Sequence, residues 1–282
     1  MLLVTILTLF LTQQPDTLCC SHTHHSECIV NTDSMSSPGD CQHPHHLTCN
    51  GWISTLTIEE VLDQIEEVSI APTKTDVVYI KIDPILKREE IRNGKLIFRM
   101  DGDRKEVAIA FDTLLIGRRK ETKKKHYIFS GRWFVEVDPE NKQFIKRELI
   151  SPNESATIDP FALGTGPIPL PIGQKKESIL SKFNVQFSSK PASGLLSTLE
   201  EPFVAIELQP KVESDWQTIY LFYDPTTWLP VGISTVETDG TKRMSLLSNM
   251  SDSLTEADLA LLEIEAPDPT EWSIDIQPFT SD

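Results

Sequence analysis

From residue 77 to residue 149, short runs of β-forming side chains alternate with residues suited to tight turns, and this spacing limits the fold more than any other feature. The runs fall at 77–82, 95–100, 105–111, 125–130, 132–138 and 143–149. Between them stand Asn93-Gly94, Asp101-Gly102, Ser130-Gly131 and Asp138-Pro139-Glu140-Asn141, which tolerate positive φ or preset a bend. Strands joined by turns this short must be antiparallel neighbours, because parallel pairing needs a long crossover. A second set is predicted at 184–188, 203–209, 217–223, 231–238 and 242–247, turned at Asp224-Pro225-Thr226-Thr227 and Asp239-Gly240. Ahead of all of them Thr57 and Glu60 form a capping box, and Ile58, Val61, Leu62, Ile65 and Val68 recur at helical spacing. A short helix is also expected near residues 255–262. The class is therefore α+β, mostly β, built on a broad antiparallel sheet of a size that usually curls.

Alternation assigns faces only in part. Val107, Ile109 and Phe111 oppose Glu106, Ala108 and Ala110, and Val204, Ile206 and Leu208 oppose Ala205 and Glu207. Around residues 219–223 and 127–129 both faces are apolar, so some of the sheet is covered twice, or covered once and lining a cavity. The connection from residue 151 to 176 is long, apolar and stiffened by proline. Its Phe161, Leu163, Ile168, Leu170 and Ile172 suit either a plug over an open barrel end or a lid over a ligand cavity. Pro167 and Pro169 remove the amide donors that a phosphate-cradling reading of Gly164 and Gly166 would require.

A formal charge of -16 argues against a nucleic-acid partner. The basic cluster Arg118, Arg119, Lys120 and Lys123 to Lys125 is the local exception, read first as a solvated hairpin end and second as a patch that steers toward anionic headgroups. Residues 1–15 have the apolar length of a signal peptide, so a periplasmic or otherwise exported location is expected. Residues 16–50 hold all five cysteines and six of the seven histidines in a polar leader. A metal set drawn from His22, His24, His25, Cys28, Cys41 and His43 is the minor reading, since no C-x-x-C pair is present; a flexible linker is the major one. Beyond residue 50 there is no cysteine and the one histidine is His126, and metalloprotease, nucleophile-elbow and nucleotide-loop motifs are missing. The chain reads as a non-enzyme that needs no cofactor.

Four segments carry a family resemblance: Gly94-Lys95-Leu96-Ile97-Phe98-Arg99-Met100, Tyr127-Ile128-Phe129-Ser130-Gly131-Arg132-Trp133, Gly166-Pro167-Ile168-Pro169-Leu170-Pro171-Ile172-Gly173-Gln174, and Tyr223-Asp224-Pro225-Thr226-Thr227-Trp228-Leu229-Pro230. In this order, after a helix, they resemble the periplasmic lipoprotein carriers (LolA-like proteins), and particularly the larger members of planctomycete-type bacteria. The resemblance implies an unclosed antiparallel half-barrel with covering helices over its concave apolar face, here residues 51–250, followed by an acidic extension at 251–282. It also implies that lipoprotein or lipid acyl chains bind there, with an inner-membrane release complex and an outer-membrane acceptor as partners. A LolA-fold sensor or protein-interaction module of the cell envelope is the alternative. Candidate lining residues are Phe98, Val107, Ile109, Phe111, Phe129, Trp133, Leu208, Leu221 and Tyr223, each with ordinary core packing as its other reading. The leader, the Pro-Gly connection and the acidic end depart from the small carriers, and no arginine of theirs maps onto Arg99 or Arg132.

Overall fold

The computed structural model describes residues 56–68, 71–101, 104–153, 160, 172–188 and 193–280. The signal-like stretch, the Cys/His leader and, of the candidate lid, Phe161, Leu163, Ile168 and Leu170 lie outside the described residues.

Two meanders make one sheet. The first contains β1 (Thr73–Asp83), β2 (Arg88–Asp101), β3 (Arg104–Ile116), β4 (Arg119–Ser130), β5 (Trp133–Asp138) and β6 (Gln143–Glu148). The second contains β7 (Phe183–Phe187), β8 (Val204–Pro210), β9 (Trp216–Tyr223), β10 (Pro230–Glu237) and β11 (Lys242–Ser251). The antiparallel pairing of β1 with β11 joins them, and β12 (Ser273–Gln277) adds to β6 in parallel. The resulting order is β12-β6-β5-β4-β3-β2-β1-β11-β10-β9-β8-β7, a curved sheet whose two edges do not meet.

Among the described residues three α-helices accompany it: α1 (Ile58–Glu67), α2 (Lys176–Lys182) and α3 (Glu256–Ala260). The expected capping box of α1 is present, with Glu60 N–H donating to Thr57 Oγ1 at 3.2 Å and Thr57 N–H donating to Glu60 Oε2 at 2.7 Å. The same device starts α3, where Thr255 N–H donates to Asp258 Oδ2 at 2.9 Å. Asp258 also accepts from Lys74 Nζ at 2.8 Å, which ties α3 to β1. These contacts hold its carboxyl far below the usual carboxylate range, the hydrogen bond from Lys74 contributing most.

Two expectations need correction. Asn93-Gly94 is not a turn but lies inside β2, at a bulge in its pairing with β3. The reversal falls earlier, at residues 84–87, where Asp83 Oδ1 accepts from the amides of Ile85 at 2.9 Å and Leu86 at 2.8 Å. Gly94 is needed for close approach: a Cβ there would stand 2.0 Å from the Ala110 carbonyl oxygen. The count of eleven strands omitted β12, whose mostly exposed side chains give little apolar signal. Within residues 251–282, read as an acidic extension with a short helix near 255–262, the described part holds α3 at the expected place and β12. Leu262 and Trp272 pack against the outer face of β2, β3, β4, β5 and β6.

Register fixes which side each residue faces. Phe98, Val107, Phe129 and Phe134 are consecutive cross-strand partners, as are Leu96, Ile109, Tyr127 and Glu136. All these face the inner, concave side, together with Val77, Leu221 and Ile206. On the outer side a second cluster forms under α3, and a third under a 3-10 helix at Gly194–Thr198 through Leu196, Phe203, Tyr220 and Phe222. The sheet is thus buried on both faces over much of its area.

Replacing Gly94 with alanine forces two strands apart, with an expected loss of about 3 kcal/mol or more. Gly117→Ala, at a turn with φ +61 and nothing within 4 Å of the added Cβ, should cost only about 1 kcal/mol from the left-handed backbone. Urea unfolding midpoints of the two variants check this ordering.

Candidate functional site

The inner face is filled by helices instead of by barrel closure. Val61, Leu62 and Ile65 of α1 are fully buried there, because their spacing puts them on one stripe. Ile179 of α2 and Ile172 join the same cluster. Lys176 clamps the helix pair, its Nζ lying 2.8 Å from Asp63 Oδ1 and its amide donating to Glu66 Oε2 at 2.9 Å.

Of the nine residues expected to line a cavity, Phe98, Val107, Ile109, Phe111, Leu208, Leu221 and Tyr223 meet in this one cluster. Phe129 also faces inward and packs on Phe134 with ring centroids 4.7 Å apart. Trp133 is on the other face, across from Ser130 and Glu148, with Lys146 Nζ 4.8 Å from its ring centroid. Adjacent aromatics at 133 and 134 leave the parity of β5 open in the sequence, and Phe134 takes the inward place. Ile172, the described member of the candidate lid, packs onto α1 and the sheet.

Beside the helix-covered part runs a ledge of aromatics that sequence reasoning missed. Tyr79 lies 5.9 Å from Phe111, Phe111 6.3 Å from Tyr127, and Tyr127 stacks on Phe134 at 6.2 Å. Arg92 sits 6.0 Å over the Phe111 ring and Lys125 5.4 Å over Tyr127. Nη1 of Arg92 is buried and makes no hydrogen bond among the described residues. Glu136 accepts from Arg147 Nη1 at 2.6 Å, with Lys125 Nζ at 3.3 Å. Burial alone would raise the Glu136 carboxyl, but these two cations outweigh it and hold it below its ordinary value. The two-residue spacing of Val77 and Tyr79 and of Tyr127 and Phe129 was the available signal, yet only pairing from β1 through β5 lines them up.

Burial pushes the Tyr79 phenol up to about 12, with Arg243 opposing and Glu237 adding to the rise. Arg99 and Arg132 are absorbed by ion pairs, Arg99 with the buried Glu106, which also accepts from Ser130 Oγ at 2.7 Å, and Arg132 with Glu148 at 3.5 Å. Two cavities are present, the second bordering the inner cluster through Trp216. One of about 270 Å³ is on the outer face, between the 3-10 helix and Tyr220, Phe222 and Met244; a polar one of about 430 Å³ sits at the rim near Asp215, Trp216 and Arg243. His126 lies on the outer side of β4, across from Ala110 and Val137. Burial lowers its pKa, while Asp112 opposes. Among the described residues no three His, Cys, Asp or Glu side chains converge as metal ligands.

No family model matches the chain, and no curated protein matches it. Solved structures do. A chain in the complex of Pseudomonas aeruginosa MucA and MucB is 11% identical with a TM-score of 0.41, over 71% of this chain and 59% of that one. An uncharacterized conserved protein from Thermus thermophilus is 9% identical with a TM-score of 0.41, over 78% of this chain and 98% of that one. A LolA superfamily protein from Nitrosomonas europaea is 12% identical with a TM-score of 0.32, over 72% of this chain and 97% of that one. This chain thus spans less than two thirds of the MucA/MucB-complex chain.

Two outcomes check the inner face. Leu62→Ala removes a fully buried side chain and should cost about 3 kcal/mol in urea unfolding. Because the Tyr79 pKa is raised on folding, its contribution is intact below about pH 10 and is lost as pH rises toward 12. Tyr79→Phe should therefore lessen the fall in thermal midpoint across that alkaline window.

Proposed function

We propose that this protein is a non-catalytic carrier of the exported compartment, binding the acyl chains of lipoproteins or lipids on the inner face of its half-barrel. One observation carries the reading: an apolar concave sheet is covered by a short element, the ten-residue helix α1, through Val61, Leu62 and Ile65. A helix of that length is marginal on its own, so its place depends on the burial of those side chains. Burying three aliphatic side chains is worth roughly 6 kcal/mol, whereas an acyl chain of about 16 carbons gains on the order of 12 kcal/mol at about 0.8 per methylene. An acyl chain thus has more apolar area to bury than α1 gives up, which works against the cost of association. The aromatic ledge extends that surface, and the Arg92 guanidinium at its side offers an unused donor to a polar head. The resemblance of the four segments to lipoprotein carriers supports the same reading.

A second reading, an envelope interaction module, is favoured by β7. Among the described residues no strand pairs with its outer edge, which leaves backbone donors and acceptors for an added strand.

Native mass spectrometry of the full chain, purified without detergent, tests the carrier. The expected result is co-purifying acyl lipid, or uptake of an added diacyl lipopeptide, with more uptake by Leu62→Ala because its cover is weakened. A ligand-free mass that also refuses the lipopeptide overturns the proposal in favour of the interaction module.

A further inference from the structure

The chain carries a net charge of -16, yet two adjacent turns at one end of the sheet are basic, while the neighbouring β5–β6, β8–β9 and β10–β11 turns at that end carry Asp138, Glu140, Glu213, Asp215 and Asp239. Residues 83–90 and 117–125, which contain the β1–β2 and β3–β4 turns, hold eight Lys and Arg against four Asp and Glu. Three of those carboxylates are engaged locally. Asp83 accepts the amides of the β1–β2 turn, Glu90 pairs with Arg88, and Glu121 pairs with Arg119 at 2.6 Å. Lys87 and Arg118 are exposed in the turns themselves, and Lys120 is exposed on β4 beside them.

The second observation is independent of charge. Ile85 and Leu86, adjacent at the tip of the β1–β2 turn, are 82% and 64% exposed. Single exposed aliphatics are ordinary on any protein surface, but two consecutive ones at the end of a projecting hairpin are not. Register gives their height. Arg88 is the last partner of Asp83, and Glu90 faces Ile116, whose own partner across the β3–β4 turn is Arg119. Glu89 is therefore level with Arg118, so Arg88 and then the apolar tip at residues 85–86 stand beyond the β3–β4 turn. The β10–β11 turn braces the tip, since a Cβ on Gly240 would be 3.4 Å from Pro84 Cγ.

We infer that this end of the sheet docks on an anionic phospholipid bilayer, with Ile85 and Leu86 entering the acyl boundary while Arg88, Arg118, Arg119 and Lys120 lie at the headgroups. An apolar tip ahead of a basic collar matches the layering of such a surface, apolar within and negative at the level of the phosphates. Arg118 and Lys120 each contribute about fivefold in partitioning, Arg88 and Arg119 less because Glu90 and Glu121 pair with them, and the contribution fades with salt. The collar and the tip together supply the two signals that reversible membrane attachment requires. This surface is separate from the inner face and does not depend on what, if anything, that face carries.

Vesicle flotation of the full chain decides the matter. The protein should float with phosphatidylcholine vesicles containing phosphatidylglycerol at low salt and not with phosphatidylcholine alone. Ile85→Ser combined with Leu86→Ser should weaken partitioning about tenfold, and Arg118→Glu with Lys120→Glu should weaken it about 25-fold or more. Both variants alter exposed side chains, so thermal midpoints should match the parent, and uptake of diacyl lipopeptide in native mass spectrometry should be unchanged. Failure of the parent to float, equal flotation with uncharged vesicles, or full binding by the Ile85→Ser/Leu86→Ser variant overturns the inference. Loss of lipopeptide uptake with flotation intact would sink the carrier and leave this surface standing.

Discussion

The ladder between β1 and β11 is the constraint on which the rest of the molecule depends. It places Tyr79 opposite Ser245 and Val77 opposite Leu247, uniting segments from opposite halves of the chain. Each meander alone would form from local turns, but neither alone offers a face wide enough to bury α1. Joined, they curve around Val61, Leu62 and Ile65, and a single inner cluster runs from Phe98 on β2 to Leu208 on β8. Non-local pairing of this kind carries the largest loop-closure cost in the fold, and the shared apolar cluster offsets it.

Covering both faces leaves the sheet with a division of labour. The outer face is sealed by α3 over one half and the 3-10 helix over the other. Gly232 shows how tightly the latter fits, since a Cβ there would come within 2.8 Å of Leu196 Cδ2. The inner face is held by short helices whose polar clamp, Lys176 with Asp63 and Glu66, sits at the surface. Exposed ion pairs of this type contribute little, so the hold on α1 is almost wholly apolar. A competitor for that surface therefore needs only apolar length, which is what an acyl chain has.

Charge is distributed to match. Arginines that interrupt apolar strands are neutralised in place, as Arg99 is by Glu106 and Arg147 by Glu136. Arg92 instead lies against Phe111 with one nitrogen unsatisfied, on the face that the carrier reading assigns to cargo. The acidic surplus keeps most of the surface repulsive to anions, which makes the basic turns at one end a localised exception with a direction to it.

The starts of α1 and α3, the positions of most strands and the antiparallel class were legible from sequence because each depends on neighbouring residues: Thr57 with Glu60, Asp224-Pro225, and the period-two runs of β3 and β8; α2 was not expected. Seven of the nine expected inner residues share one cluster because alternation along a strand is a local rule, while Trp133 left it because alternation gives relative and not absolute parity. Asn93-Gly94 looked like a turn by dipeptide chemistry, but the Ala110 carbonyl pressing on Gly94 gives that glycine a different use. The sequence by itself determined which segments are strands, where most of them turn and which residues alternate. Only the tertiary structure decided which face looks inward, that β1 and β11 close the two halves, that β12 adds in parallel, and that Ile85, Leu86 and the Arg118 turn share one end. Those depend on pairings between distant residues, whose free energy is set by the whole assembled sheet and not by any neighbour in the chain.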